Sequence, residues 1–181
     1  MIEQGRRNYI CLFSLFFLFV LSGCFPTKTV FHKQPGDEVE RYQVVQIPDF
    51  DKTDATWVPY DSSSQIPDML AERLRKTNEF GEISRSESGS EPDKKVLLVE
   101  GVVTGYSRGC KFCEWFFFGI NDKGKSSMSI RVKLIDATTG NVLTDAEIQG
   151  RAKDPGYGSS RYERIVDEIV DLIHDVNREK S

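Results

Sequence analysis

The 181-residue sequence predicts an α+β domain, a mostly antiparallel sheet of four to five strands with two helices on one face. Three observations predict it. Short segments rich in Val, Leu and Ile, several with period-2 alternation, stand at 39–47, 80–84, 95–104, 128–136 and 142–150. Two other segments repeat apolar residues at helical spacing. Their order is strand, helix, strand, strand, strand, strand, helix, which lacks the regular strand–helix alternation of a doubly wound sheet.

Val39 to Ile47 partly alternates and reads as the first strand, and Pro48 stops it because proline cannot donate to a ladder. Asp49 to Tyr60 reads as a polar loop. Ser62-Ser63-Ser64 offers an N-cap, Pro67 is expected in the first turn where its missing N–H costs nothing, and Ile66, Leu70 and Leu74 recur every four residues, so a helix runs to about Asn78. Phe80 to Ser84 is a short strand, Glu87 to Lys94 a turn-rich loop, and Lys95 to Thr104 a buried strand. Met128, Ile130, Val132 and Leu134 alternate with polar residues, and Asp136-Ala-Thr-Thr-Gly140-Asn141 turns the chain back into Val142 to Gly150. Tyr162, Ile165, Val166, Ile169, Val170, Ile173 and Val176 draw the apolar stripe of a closing helix, with His174 near its carboxyl end read as a surface residue.

The amino terminus has three parts: Arg6-Arg7, an apolar run of about a dozen residues ending at Val20, and Leu21-Ser22-Gly23-Cys24. The run is shorter than the ~20 residues that cross a bilayer, and small residues follow it, as in an export signal. Leu-Ser-Gly-Cys resembles the lipobox of bacterial lipoproteins, in which the thiol is acylated and cleavage leaves it as residue one. The expectation is a signal peptide at 1–23, lipid on Cys24, a flexible tether at 24–38 and one domain at 39–178. The plainer alternatives are an ordinary secreted protein or a signal anchor with a chance cysteine. The arginine pair resembles the twin-arginine signal, but no Ser or Thr precedes it and the run is very apolar. Phe25 is not the Asp that retains enteric lipoproteins at the inner membrane, so the resemblance favours the periplasmic side of the outer membrane. His32, in the tether, is read as solvated.

With 24 basic against 28 acidic residues and no basic tract, the chain lacks the electrostatic footprint of nucleic-acid binding. The loop Gly109 to Ser127 holds Cys110 and Cys113, then Trp115, Phe116, Phe117 and Phe118. A structural zinc site would need four ligands, and the mature chain offers only these two thiols, two separate histidines, a lipidated cysteine and carboxylates. A thioredoxin-like pair would open a helix after a strand, whereas these lie between strands. Outside the cytosol, a disulfide stapling the loop is the preferred reading, with free thiols the remainder. On a strand, Trp115 and Phe117 point one way and Phe116 and Phe118 the other, so one pair needs cover. That cover, besides the core, is a helix of the same domain, a subunit or lipid, so the run is either buried on both faces within one domain or part of an interface.

Phe117-Phe118-Gly119, Gly124-Lys125-Ser126, the strand 128–134 and Ile135-Asp136-Ala137-Thr138-Thr139-Gly140-Asn141-Val142-Leu143 together resemble the family labelled DUF4410, bacterial lipoproteins in which a Gly-Lys-Ser phrase precedes a strand ending in Asp-Ala-x-Thr-Gly. The chain departs from that pattern at Asn121-Asp122 and at the cysteine pair. That family has no assigned activity to carry over, and the function the resemblance implies is scaffolding or partner binding. Gly119 to Ser126 also spells the phosphate-loop spacing, but that loop must open a helix, and Ser127 to Asp136 alternates as a strand. Nucleotide binding is therefore rejected. The expected function is a non-enzymatic, lipid-anchored envelope protein that binds a partner or itself. The alternative is an envelope thiol–disulfide or other enzyme using the Cys110/Cys113 loop. No catalytic, metal or cofactor residue is assigned.

Overall fold

The structure, a computed structural model, describes residues 27–34, 41–53, 62–86, 94–107, 126–151 and 159–178. Among these, seven strands and two helices follow one another as β1 (Lys28–Lys33), β2 (Val44–Gln46), β3 (Asp51–Lys52), α1 (Ser62–Thr77), β4 (Glu82–Ser84), β5 (Val96–Ser107), β6 (Ser127–Asp136), β7 (Val142–Arg151) and α2 (Ser159–Asn177). The sheet order is β1-β7-β6-β5-β2-β4, with β3 also on β5. The class is α+β as expected, but the sheet is larger than expected and mixed. β5, β6, β7 and β1 pair antiparallel, whereas β2 is parallel to both β4 and β5, and β3 is parallel to β5. The reason is the crossover through α1. The helix carries the chain back to the end of the sheet at which β2 began, so β4 runs parallel to β2.

Two expectations for the amino-terminal half are corrected. The segment read as tether contains β1, whose Lys28, Thr29, Val30 and Phe31 pair with Gln149, Ile148, Glu147 and Ala146. Thr29 fixes the strand further by donating from Oγ1 to Glu168 of α2 at 2.6 Å. The segment read as loop after Pro48 contains β3, which resumes the path of β2 along β5. β2 ends opposite Leu98 and β3 begins opposite Val102, so five steps on one side match four on the other across the non-strand segment that holds Pro48.

Phe50 shows why the chain takes this path. A Cβ on Gly101 would lie 2.5 Å from the Phe50 ring, so the ring, 3 % exposed, occupies the space that a side chain on β5 would fill. Its backbone N–H donates to Ser63 at 2.9 Å. Pro67 lies in the second turn of α1, not the first, and lacks the N–H that would reach the Ser63 carbonyl four residues back. Phe50 satisfies that carbonyl instead. The helix ends as its sequence requires, with Asn78 in the left-handed region at φ 54.

One face of the sheet carries the core. Met128, Ile130, Val132 and Leu134 of β6 stand opposite Gly150, Ile148, Ala146 and Thr144 of β7, and Val103, Gly101 and Val99 of β5 flank them on the other side. A register shift between Val103 and Gly105 brings Tyr106 onto the same face, opposite Met128. Both helices pack there, with Ile66, Leu70 and Leu74 of α1 and Ile165, Ile169 and Ile173 of α2 all fully buried in one cluster. Arg73 of α1 bridges to Asp167 of α2 at 2.9 Å.

Candidate functional site

The residues singled out from sequence do not come together in the described part of the chain. Cys24, Cys110, Cys113, Trp115, Phe116, Phe117 and Phe118 all lie outside the described residues, as does the loop from Gly119 to Lys125. The strands that bracket that loop are described: Ser107 ends β5 opposite Ser127, which begins β6, so both stems stand at one end of the sheet.

The Asp136-Ala-Thr-Thr-Gly140 motif lies at the opposite end, and it is structural. Asp136 Oδ1 accepts hydrogen bonds from the backbone amides of Thr138 and Thr139, both at 2.8 Å, and Oδ2 accepts from the Tyr42 hydroxyl at 3.2 Å. The Gly140 amide donates to the Asp136 carbonyl at 2.8 Å while its φ of 73 reverses the chain, a conformation that glycine adopts without penalty. Burial opposes ionisation of Asp136, yet the Thr139 and Thr138 amides and the Tyr42 hydroxyl outweigh it and hold the carboxyl below its usual range. The motif ties the β6–β7 turn to Tyr42, whose own amide donates to Asn177 Oδ1 at 2.9 Å at the end of α2.

The face of the sheet away from the helices has no described element over it, and its centre is ionic. Arg131 of β6 forks onto Asp145 of β7, Nε to Oδ1 at 2.8 Å and Nη2 to Oδ2 at 2.7 Å. Glu147 stands beside Arg131 and accepts from Thr104 Oγ1 at 3.1 Å. The Arg131 hydrogen bond holds the Asp145 carboxyl below its usual range against the opposing effect of burial, helped by the charges of Arg131, His32 and Lys133. His32 is exposed, as expected, but on strand β1 rather than in a tether. Such a ladder can orient a charged partner. It contains no nucleophile paired with a base.

The two outer strands, β1 and β4, each have one edge that no described strand covers. β1 also carries the two exposed large apolar residues found among the described residues, Val30 at 43 % and Phe31 at 41 %. A cleft of about 850 Å³ near β2 and β4 is lined by charges of both signs, including Arg41, Glu79, Glu82 and Arg178. Beside it, His174 is only 14 % exposed and lies 3.4 Å from Glu79, so it is not the surface residue expected from its place near the helix end. Among the described residues no group of three His, Cys, Asp or Glu could hold a metal ion. None of the described helices is long and apolar enough to cross a membrane.

Among curated proteins, none matches the chain in sequence. Solved structures share its fold. PelC from Paraburkholderia phytofirmans, crystallised as a dodecamer, matches with a TM-score of 0.55 at 11% identity, over 86% of this chain and all of that one (100%). Protein CT253 from Chlamydia trachomatis matches with a TM-score of 0.50 at 13% identity, over 74% and 97% of the two chains. The family model of the domain of unknown function DUF4410 matches residues 36–152, more than half of the sequence, with the Asp136 turn and the β5–β6–β7 meander inside it, and the chain belongs to that family.

Proposed function

We propose that this protein is a non-enzymatic envelope lipoprotein, anchored through acyl chains on Cys24, whose α+β domain serves as an assembly module and associates with further copies of itself. The observation that carries the address is Leu21-Ser22-Gly23-Cys24 directly behind an apolar run too short to span. Export would place Cys110 and Cys113 in an oxidising compartment and join them as a disulfide. An outer-membrane location on the periplasmic side follows from Phe25 after the anchor.

Self-association is supported by the two sheet edges that no described strand covers. A strand edge presents unpaired amides and carbonyls and templates pairing with another chain unless something blocks it. β1 adds Val30 and Phe31 to that edge. PelC, crystallised as a dodecamer, gives a precedent for a homo-oligomer made from a domain of this architecture. The aromatic residues Trp115 to Phe118 are a further candidate interface in this reading.

The experiment is native mass spectrometry of the protein extracted from membranes with Cys24 intact, beside a pull-down from the envelope. A closed homo-oligomer that dissociates in a Val30→Lys/Phe31→Lys variant is expected. A monomer at all concentrations, with no stoichiometric partner captured, would refute the reading. Thiol-dependent turnover that disappears in Cys110→Ser would establish the enzymatic alternative.

A further inference from the structure

Strand β1 changes what an anchor at Cys24 means for the domain. A flexible tether of about fourteen residues would let the domain wander roughly 20 Å from its attachment. The chain allows far less. Lys28 is already paired with Gln149, so only residues 25–27 separate the anchor from the sheet, and four residue steps reach at most about 14 Å. β1 is held by its pairs to β7 and by the Thr29 hydrogen bond to Glu168 on α2, so it transmits position to the whole sheet.

The pairing register identifies the end that is held. Lys28 of β1 stands opposite Gln149, and Gln149 stands opposite Ser129. Two residues further along, Ser127 pairs with Arg151 on one side and Ser107 on the other. The first residue of β1, the end of β5, the start of β6 and the end of β7 therefore form one edge of the molecule. The Asp136–Asn141 turn stands at the other edge, about 30 Å away along β6. The charged side chains at the last paired positions of the near end are Lys28 and Arg151, both cationic, as suits an anionic lipid surface.

We infer that this end of the sheet, marked by Lys28, Ser107, Ser127 and Arg151, is the lipid-facing surface of the domain, with the Asp136 turn directed away from the bilayer. The inference rests on acylation of Cys24. A headgroup layer is only about 5–8 Å deep on each side of the hydrocarbon, so an acylated Cys24 within about 14 Å of Lys28 keeps this end of the sheet, and not the Asp136 end, within reach of the headgroups.

The test uses acylated protein purified from membranes and reconstituted in phosphatidylethanolamine/phosphatidylglycerol vesicles that contain a lipid with a photoactivatable headgroup. After illumination, adducts are mapped by peptide mass spectrometry. Adducts are expected on the peptides holding Thr27–Thr29, Ser127–Ser129 and Gln149–Arg151, exceeding those on 136–142 by about tenfold, because the headgroup layer is thin against the length of the sheet. Equal labelling of the two ends, or heavier labelling of 136–142, overturns the inference. So does an acylated protein whose near end takes no lipid, as when a second copy or another protein covers it. Intact mass on the same sample separates the two failures: without acyl chains the anchor reading itself falls, whereas acylated protein with the wrong pattern refutes only the orientation.

Discussion

Replacing Asp136 tests whether the family motif is a structural turn. Asp136→Ala removes a carboxylate that accepts hydrogen bonds from the amides of Thr138 and Thr139 at 2.8 Å, from the Tyr42 hydroxyl at 3.2 Å and from the Thr139 side chain. Hydrogen bonds to a charged acceptor contribute about 1.5–3 kcal/mol net when both partners are withdrawn from water, and the two turn amides recover part of that by turning to solvent. Tyr42 is 3 % exposed, so its hydroxyl cannot recover as easily. The expected loss is about 2–4 kcal/mol for Ala. Asp136→Asn keeps the Oδ1 acceptor for both amides and lets the Tyr42 hydroxyl accept from the new amide group, so it should cost about 1 kcal/mol. Urea unfolding followed by circular dichroism at neutral pH measures both. An Ala variant within about 1 kcal/mol of the parent, or an Asn variant as unstable as Ala, would refute the account of the turn. The pH dependence supplies a second check. Because the folded-state value of Asp136 is depressed, its contribution is complete above the ordinary aspartate value of 3.8 and is lost as pH falls through the lower folded value. In Asp136→Ala that acid-side loss should shrink.

Gly101→Ala drives a methyl into the Phe50 ring and should destabilise by about 1–3 kcal/mol in the same assay. A neutral result would mean that Phe50 does not pack on β5. Asp145→Asn weakens the fork to Arg131, so the variant should unfold at lower urea at pH 7 and converge on the parent in strong acid, where the parent's carboxyl is also protonated. Parallel pH profiles would show that the ionised carboxylate has no such role. Thr29→Val deletes the bond to Glu168 and should speed hydrogen exchange at the amides of β1 while leaving those of β6 unchanged. Unchanged exchange in β1 would show that the strand is held by its ladder alone.

The elements with strong periodicity were legible in the sequence, and those held by tertiary pairing were not. Met128 to Leu134, Ile66 to Leu74 and Tyr162 to Val176 each bury the face that their spacing marks. β1 was missed because Lys-Thr-Val-Phe-His-Lys is an edge strand with most of its side chains exposed, so its pattern reflects solvent more than core. β3 is two residues long and exists because Phe50 fits over Gly101, a contact between distant positions with no local signature. The parallel pairing of β2 with β4 is legible in principle, since a helix crossover between strands of one sheet favours it, but the alternating antiparallel strands after it carry the stronger pattern. His174 was misplaced for a similar reason: its position near the helix end points to solvent, whereas Glu79, from the turn after α1, packs beside it. The Asp136 motif was recognised as a turn from sequence, but its link to Tyr42, 94 residues earlier, required the fold.

The account depends most on the chemical state of Cys24. Intact-mass and amino-terminal peptide analysis of the protein extracted from membranes tests it directly. The account predicts a chain that begins at Cys24 with a diacylglyceryl group on the sulfur. A chain that retains residues 1–23, or one whose Cys24 sulfur carries no lipid, would contradict it.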